Sequence, residues 1–238
     1  MDRDPSLQRR VAFFGGSFDP PHLGHLAIAR AARDALCLDA VLFAPVGAQP
    51  LKPAGSTAPF ADRVEMTRLA IAGERAFELS LVDSPDPEGK PNYTLDTLRG
   101  LQSHYGEHAA LFCLMGADSF VSLRRWRGGA EIPFAAILIV ASRPGLQLDD
   151  LSGQLDRGLS LQSADRPAIC PAGGVDIRSF VVSDSHGRST PFYLLPGLDV
   201  EISASAIRAQ AHSASPVREA ALVPPAVSEY IRARQLYR

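Results

Sequence analysis

The chain has 238 residues, of which 46% are hydrophobic and 21% are charged, and its formal net charge is -2. These values are typical of a globular protein with a sizeable core, and so small a charge gives no electrostatic basis for general nucleic-acid binding. No apolar run is long enough to span a bilayer, and the charged segment 1–10 lacks the apolar core of a signal peptide. We therefore expect no nucleic-acid partner and no membrane partner.

The number and spacing of the cysteines indicate the redox environment of the protein. The chain has three, Cys37, Cys113 and Cys170. They show no paired spacing, and an odd number leaves a thiol over, which suits a reducing environment. Together with the missing signal core, this predicts a cytoplasmic protein.

The first predicted unit is a strand, a glycine-rich turn and a helix. Residues 11–14, Val-Ala-Phe-Phe, form an apolar run that predicts a strand, and the alanine-rich segment 26–36 predicts a helix. Residues 1–9 are predicted to be a flexible lead-in. Because a helix start after a glycine turn presents free backbone N–H groups, this unit predicts an anion site.

Two histidines stand at the start of this helix. His22 and His25 are three residues apart, so they share one helical face if the helix begins near them. Imidazoles there can donate hydrogen bonds to phosphate oxygens. Zinc ligation is an alternative, but the cysteines are scattered and no closing ligand pair is visible. Ordinary partly buried histidines are the other alternative, and the glycine-proline context favours phosphate binding over both.

The segment that joins this strand to this helix carries a known sequence motif. Residues 15–25 read Gly-Gly-Ser-Phe-Asp-Pro-Pro-His-Leu-Gly-His, which resembles the signature of the nucleotidylyltransferases, most closely that of the bacterial nicotinate mononucleotide adenylyltransferases. That family usually has Thr where Ser17 stands, and class I aminoacyl-tRNA synthetases share only the His-x-Gly-His part. The resemblance assigns ATP binding in this segment to Gly15, Gly16, Ser17, Phe18, His22 and His25. It also implies that Ser17 contacts nicotinate mononucleotide.

A second buried strand is predicted over 39–46, followed by a proline- and glycine-rich loop over 47–55. The family carries a similar loop with a Pro-Pro-His-Lys core, whose basic residue reaches the nucleotide phosphates. Lys52 matches that residue, whereas Leu51 replaces the histidine, so the resemblance assigns only Lys52 to ATP. Without the resemblance, a solvated loop lysine is the simpler interpretation.

The next elements are a helix and a short strand. Segment 59–71 predicts a helix, and a short strand is predicted over 77–82. The apolar residues of the helix fall roughly on one face. They are Phe60, Val64, Leu69 and Ile71.

After a turn-rich connection, the hexapeptide Tyr-Thr-Leu-Asp-Thr-Leu at 93–98 opens a helix that runs to about residue 105. Thr94 or Asn92 is expected to cap this helix. The hexapeptide is similar to the family's Tyr-Thr-x-Asp-Thr-Leu, where the backbone near the threonine meets the substituent of the pyridine. The resemblance therefore assigns Tyr93 and Thr94 to the mononucleotide.

Residues 109–115 form a continuous apolar run, which predicts a strand buried on both faces. It ends in Gly-Ala-Asp, as in the family, where the carboxylate contacts the nucleotide. Asp118 is placed to meet ribose hydroxyls or a metal-bound water, and a helix N-cap is a compatible alternative. Trp126 follows where the family places the ring that packs on the pyridine, although a single tryptophan is more often part of a core.

Another buried strand is predicted over 134–141, and the Ser-Arg-Pro-Gly that follows is again like the family, which assigns Arg143 to the mononucleotide. Segment 146–190 is less informative and is longer than the segment that the family usually carries at this place. It is interpreted as a variable surface elaboration, with a short helix around 149–155. A last short strand is predicted over 191–196.

Residues 202–208, Ile-Ser-Ala-Ser-Ala-Ile-Arg, resemble the second family signature. Ser203 and Ser205 can cap a helix start, and Arg208 lies one turn further on the face of Ser205. Hydroxyls, free N–H groups and a guanidinium then converge on one anion, which the resemblance identifies as the ATP phosphates. The alternative is a plain capped helix. Residues 202–238 are predicted to form a helical part whose end resembles the family's closing helix.

Strands alternating with helices predict an α/β fold: a Rossmann-like, doubly wound, mostly parallel sheet with flanking helices, in one domain over 1–238. No Gly-x-Gly-x-x-Gly is present, so a dehydrogenase is not indicated. In such a fold the two signatures can meet at the carboxyl edge of the sheet.

The resemblance implies adenylyl transfer from ATP to nicotinate mononucleotide, which releases pyrophosphate. Catalysis would rest on positioning and on charge stabilisation by His22, His25 and Arg208. We expect Mg²⁺ to be carried with ATP, with no protein metal ligands, because no dense carboxylate cluster is visible. ATP and the mononucleotide are the expected partners, and a homo-oligomer is left open.

Three alternative functions can be compared with the residues of this sequence. Phosphopantetheine adenylyltransferases share the chemistry, but they are shorter and lack the Tyr-Thr-x-Asp-Thr-Leu and Gly-Ala-Asp elements. A class I synthetase would need a Lys-Met-Ser-Lys-Ser-like loop and more chain for tRNA. A non-catalytic nucleotide-binding protein would bind ATP without releasing pyrophosphate, and the presence of both histidines and Arg208 argues against it.

Overall fold

The computed structural model describes residues 8–52, 55–142, 152–164, 170, 175–196, 202–212 and 222–238. Within these residues the strands form an eight-stranded sheet in the order β3-β2-β1-β4-β5-β8-β7-β6. The strands are β1 Arg9–Gly16, β2 Ala40–Pro45, β3 Phe77–Leu79, β4 Ala109–Gly116, β5 Ile137–Ala141, β6 Leu159–Ser163, β7 Arg178–Asp184 and β8 Ser189–Leu195.

The helices lie between and after the strands. They are α1 Leu23–Leu36, α2 Phe60–Ile71, α3 Thr94–Tyr105, α4 Ala117–Ser122, α5 Ile132–Ala135, α6 Ala204–His212 and α7 Pro225–Arg234. No helix among the described residues is long and apolar enough to cross a membrane.

The strands from β3 to β8 pair in parallel, whereas β7 pairs antiparallel with β8 and β6 pairs antiparallel with β7. β1 is central, with Val11 opposite Ala40 of β2 and opposite Leu111 of β4. The predicted α/β fold with a mostly parallel sheet is therefore confirmed. Because β1 and β4 are adjacent, the segments that follow them emerge side by side at the carboxyl edge.

Both faces of the parallel part of the sheet are buried, as parallel strands require. Side chains alternate along β1: Val11 and Phe13 belong to one apolar cluster, and Ala12 and Phe14 to the other. Helices α3, α4 and α5 pack on the first face, and α1 packs on the second. A third, smaller cluster joins α2, α6 and α7, with Met66, Ile207 and Val227 fully buried. The helical part predicted after residue 202 thus packs against α2.

Two strand boundaries differ from the prediction. β1 begins at Arg9, so the lead-in is shorter than predicted, and residues 1–7 lie outside the described part. Phe134 and Ala135 belong to α5 rather than to β5, because Pro133 stands in the first turn of a helix, where its missing N–H breaks no helical hydrogen bond.

The predicted surface elaboration contributes to the sheet. β6 and β7 fall within 146–190 and extend the edge beyond β8 as an antiparallel pair. Their burial is partial, which is why no continuous apolar run marks them in the sequence. Of the short helix predicted over 149–155, the structure describes only a 3₁₀ turn at Ser152–Gln154.

The buried face of α2 also differs from the prediction. Phe60, Val64 and Leu69 are only partly buried. The buried side chains are Asp62, Arg63, Met66, Thr67, Ala70 and Ile71. Polar groups can face inward here because each has a partner: Arg63 donates to the carbonyl of Ser17, and Asp62 accepts from Tyr230.

The expectation of unpaired cysteines is wrong for one pair. A disulfide joins Cys37, at the end of α1, to Cys170, which lies 133 residues away. Cys113 is free and buried in β4, where burial raises the pKa of its thiol to about 12. The pair is brought together by the fold, so its spacing in the sequence carried no signal. The cysteine count therefore gives no support for a reducing compartment, and the cytoplasmic assignment stays a prediction.

Candidate active site

A cavity of about 960 Å³ opens at the carboxyl edge of the sheet. It is bounded by the segments that follow β1, β2 and β4, by the start of α3 and by the start of α6. Every predicted site residue that the structure describes lines it, and Arg143 lies outside the described residues. These lining residues are Gly15, Gly16, Ser17, Phe18, His22, His25, Lys52, Tyr93, Thr94, Asp118, Trp126, Ser203, Ser205 and Arg208.

The two histidines form a stacked pair at the entrance to α1. His22 immediately precedes the helix and is buried, and the ring centroids of His22 and His25 are 3.6 Å apart at an angle of 26°. The backbone N–H of His22 donates to Nδ1 of His25 at 3.1 Å. A neutral imidazole that accepts at Nδ1 carries its proton on Nε2. We therefore assign Nε2 of His25 as a donor.

The predicted lysine lies against the first signature. Lys52 Nζ donates to Ser17 Oγ at 3.0 Å, and Ser17 Oγ donates to Gln49 Oε1 at 3.2 Å. Burial lowers the pKa of Lys52, and the neighbouring charge of Arg208 lowers it further. An anion beside the lysine would counteract this lowering, because an opposite charge favours the protonated form. The surroundings of Lys52 therefore favour binding of an anion.

The two signature segments, from distant parts of the chain, meet at Arg208. Its Nη1 donates to the backbone carbonyl of Asp19 at 2.7 Å, and its Nη2 donates to Ser205 Oγ at 3.2 Å. Ser203 caps α6, since its Oγ accepts from the N–H of Ala206 at 3.1 Å. The predicted capped start of α6 is therefore present, and the guanidinium of Arg208 contacts the first signature.

Asp19 belongs to the first signature, but the sequence interpretation gave it no role. Its buried carboxylate accepts from the N–H of Thr57 at 2.6 Å, the N–H of Ala58 at 3.1 Å and the hydroxyl of Tyr237 at 2.7 Å. Arg63 is a further residue the interpretation missed, with Nη1 on the carbonyl of Ser17 at 2.7 Å. Arg63 carried no signal in the sequence, because charged residues also stand at 62, 65 and 68 of the same helix.

The opposite end of the cavity is built on the start of α3 and on Trp126. The Trp126 Nε1 donates to Ser122 Oγ at 3.0 Å, which fixes the indole while it lines the cavity. The guanidinium of Arg127 lies 4.3 Å from the centre of the Tyr93 ring, so a cation borders this end. The sequence interpretation did not single out Arg127. Asp118 lies in the first turn of α4, where Gly116 rather than Asp118 is the N-cap.

The capping expected at α3 is wrong. Tyr93 is the N-cap residue, and no side chain caps the helix. Asn92 instead joins two loops, because its Oδ1 accepts from the N–H of Ala48 and its Nδ2 donates to the carbonyl of Ser84, both at 2.9 Å. A polar side chain next to a helix start has several backbone groups within reach, and tertiary contacts decide among them.

Asp83 is a buried acid at this end of the cavity. The hydroxyl of Thr97, in α3, donates to its carboxyl. Burial raises the pKa of Asp83, and the hydrogen bond from Thr97 opposes that rise only in part. The neutral form of Asp83 therefore persists to higher pH than for an exposed aspartate.

Gly47 marks a close approach of two loops beside this acid, and the approach gives a stability prediction. Its N–H donates to the carbonyl of Asp83 at 2.7 Å, and a Cβ at this position would lie 2.5 Å from Cα of Pro85. We expect Gly47→Ala to lower the free energy of unfolding by about 1–3 kcal/mol, because backbone has to move. Urea unfolding measures the change.

The matched control is Gly100→Ala in α3, where nothing lies within 4 Å of an added Cβ. Alanine there should raise the free energy of unfolding by about 0.4–1 kcal/mol, because it restricts the unfolded chain. Equal unfolding free energies for the Gly47 variant and the parent would contradict the close approach.

Comparisons with known proteins agree with this architecture. A family model described as cytidylyltransferase-like matches residues 13–210. A relative from Pelobacter propionicus, named "Probable nicotinate-nucleotide adenylyltransferase", is 37% identical over 228 residues, covering 96% of this chain and 98% of its own. A relative of the same name from Stenotrophomonas maltophilia is 39% identical over 237 residues, covering 95% and 96%.

Among solved structures, the nicotinic acid mononucleotide adenylyltransferase of Plasmodium falciparum, complexed with NaAD, shares the fold with a TM-score of 0.70. It is 14% identical, and the match covers 97% of this chain and 98% of that one. Sequence relatives that match over nearly their whole length therefore support the same family as the two signatures and the shared fold. On these grounds the chain belongs to the nicotinate-nucleotide adenylyltransferase family, within the cytidylyltransferase-like group.

Proposed function

We propose that this chain transfers the adenylyl group of ATP to nicotinate mononucleotide, giving nicotinate adenine dinucleotide and pyrophosphate, as a step of NAD biosynthesis. One observation carries the proposal: the hydrogen bond from Arg208 to the Asp19 carbonyl joins both signatures in the cavity whose other end holds Tyr93 and Trp126. A single cavity can then hold a triphosphate beside a pyridine nucleotide.

The reaction needs no nucleophile from the protein. A phosphate oxygen of the mononucleotide forms a bond to the α-phosphorus of ATP, and the bond from that phosphorus to the bridging oxygen breaks as pyrophosphate leaves. Catalysis is then positioning together with stabilisation of the charge that develops on phosphoryl oxygens. We assign that stabilisation to the imidazoles of His22 and His25, which line the cavity at the start of α1.

The remaining assignments follow the placement of each residue along the cavity. Lys52, Ser203, Ser205 and Arg208 would hold the outer phosphates of ATP, because all four line the cavity and the charge of Arg208 acts on Lys52. The sequence-based roles of Gly15, Gly16 and Phe18 toward ATP, of Asp118 toward the ribose and of Arg143 toward the mononucleotide stay predictions.

Mg²⁺ is assigned to the substrate rather than to the protein. Among the residues that the structure describes, no three His, Cys, Asp or Glu side chains are grouped to hold a metal ion. The donors near Arg208 fit phosphate oxygens, and Asp118 supplies to the same cavity a carboxylate, a type of oxygen ligand that Mg²⁺ favours. Bound with ATP, the ion would neutralise part of the charge of the phosphates.

We expect the enzyme to prefer the acid, nicotinate mononucleotide, over the amide. The first N–H groups of α3 can only donate, and a carboxylate accepts with both oxygens at a helix start that favours its charge. Arg127 adds a cation at this end of the cavity. An amide would leave one polar group unpaired, at about 1–3 kcal/mol, or roughly tenfold to a hundredfold in kcat/KM.

Steady-state kcat/KM for the acid and the amide measures this preference directly. Trp126→Ala should weaken both mononucleotides while it keeps most of the ratio, because a flat ring contacts the pyridine and not its substituent. Comparable kcat/KM values for acid and amide in the parent enzyme would refute the preference.

Pyrophosphate release tests the proposed function itself. The parent enzyme is incubated with ATP and nicotinate mononucleotide, nicotinamide mononucleotide or phosphopantetheine. Release with a pyridine nucleotide supports the proposal, whereas release only with phosphopantetheine indicates the related enzyme class. Binding of ATP without any release would indicate a non-catalytic nucleotide-binding protein.

A further inference from the structure

The buried carboxylate of Asp19 links three distant parts of the chain. Thr57 and Ala58 donate backbone N–H groups from the loop before α2, and Tyr237 donates its hydroxyl from the segment after α7, 218 residues further along. Asp19 is 4% exposed and Tyr237 is 7% exposed, so water does not readily replace either partner. The first signature is therefore anchored to the last helical segment.

The backbone around Tyr237 is shaped for this contact. Helix α7 ends at Arg234, and Gln235 and Tyr237 both adopt the left-handed region, with φ of 53° and 65°. Residues with a side chain rarely adopt that region, and they keep it only where surrounding contacts compensate. For Tyr237, the structure shows two such contacts: packing within the apolar cluster that joins α2, α6 and α7, and the hydrogen bond to Asp19.

The same aspartate lies among the cations of the cavity. Its charge interacts with Lys52 and with Arg63, and its backbone carbonyl holds Arg208. If the carboxylate lost the Tyr237 hydroxyl, oxygen Oδ1 would keep only the N–H of Ala58. A buried carboxylate short of donors draws the nearest cation toward itself. Lys52 and Arg208 would then be drawn to Asp19 and away from a bound phosphate.

We propose that Tyr237 is a positioning residue for ATP binding: its hydroxyl engages Asp19 so that Lys52 and Arg208 remain directed at the triphosphate. This inference rests on the proposed function and adds to it a residue that touches no substrate. Tyr237 does not line the cavity, so its effect has to pass through Asp19.

The chain supplies a matched control for removal of this hydroxyl. Tyr230, in α7, also donates its hydroxyl to a buried aspartate, Asp62, at the same distance of 2.7 Å. Asp62 lies on α2 and is not among the residues that line the cavity. Tyr237→Phe and Tyr230→Phe therefore each remove one hydrogen bond from a tyrosine to a buried aspartate, but only the bond of Tyr237 adjoins the proposed ATP site.

The experiment compares KM for ATP, KM for nicotinate mononucleotide, and thermal stability in the two variants and the parent. We expect Tyr237→Phe to raise KM for ATP about threefold to tenfold, in line with the loss of one hydrogen bond. KM for the mononucleotide should change by less than about twofold, and Tyr230→Phe should change neither KM beyond about twofold. Both variants are expected to lower the melting temperature.

A double-mutant cycle tests the route through Asp19. If Tyr237 acts through that carboxylate, the effects of Tyr237→Phe and Asp19→Asn on ATP binding are not additive. Titration calorimetry with ATP measures each variant even when turnover is slow.

Equal effects of the two tyrosine variants on KM for ATP would overturn the proposal, and so would additive effects in the cycle. Should the parent release no pyrophosphate from ATP and nicotinate mononucleotide, the proposed function fails. The calorimetric cycle then decides the role of Tyr237 separately.

Discussion

Replacement of His25 by alanine is expected to lower kcat about 10²–10³-fold, the usual cost of losing one donor that stabilises transition-state charge. The histidine is placed for this role because its Nδ1 accepts the N–H of His22, which leaves the proton on Nε2. Charge builds on the phosphoryl oxygens as pyrophosphate leaves, so the donor contributes more in the transition state than with bound ATP. ATP binding should therefore weaken much less than turnover falls.

Single-turnover kinetics and ATP titration separate these two quantities. The control is His186→Ala, which removes an exposed histidine between β7 and β8, away from the cavity. It should leave both kcat and ATP affinity close to the parent values. The assignment of His25 fails if its alanine variant turns over at the parent rate.

Removal of the Arg208 guanidinium should act mainly on ATP binding. Arg208 is held by the Asp19 carbonyl and by Ser205, so it is already ordered before ATP arrives. A charged hydrogen bond contributes about 1.5–3 kcal/mol, so Arg208→Ala should raise KM for ATP roughly tenfold to a hundredfold. KM for the mononucleotide should rise less.

Arg208→Lys should restore only part of the affinity, because the single nitrogen of an ammonium cannot span the carbonyl and a phosphate as the planar fork of a guanidinium does. Arg232→Ala serves as a control, since it removes an exposed arginine of the neighbouring α7. The steady-state KM of each substrate is the measurement. A rise in KM for the mononucleotide alone would place Arg208 at the other substrate.

The sequence predicted well those features that depend on neighbouring residues. Both signature segments, the strand before His22 and the cap at Ser203 follow from local composition and spacing. The buried parallel strands were also visible, because burial on both faces leaves a continuous apolar run such as 109–115.

Features that depend on the fold could not be predicted in this way. Cys37 and Cys170 are 133 residues apart, and Asp19 and Tyr237 are 218 residues apart, so no spacing rule connects them. Arg63 is buried because a backbone carbonyl from another segment reaches it. Partners of this kind are set by the order of the strands in the sheet.

The junction of the two signatures also has a consequence for the kinetics of folding. Arg208 and Asp19 are 189 residues apart in the chain, and they meet only once β1, β4, β5 and β8 have assembled side by side. A partly folded intermediate therefore lacks the complete phosphate site, and a nucleotide bound there stabilises only the native state. Interactions absent from the transition state for folding slow unfolding and leave the folding rate unchanged. A bound nucleotide would then extend the lifetime of the native protein without helping a newly made chain to reach it.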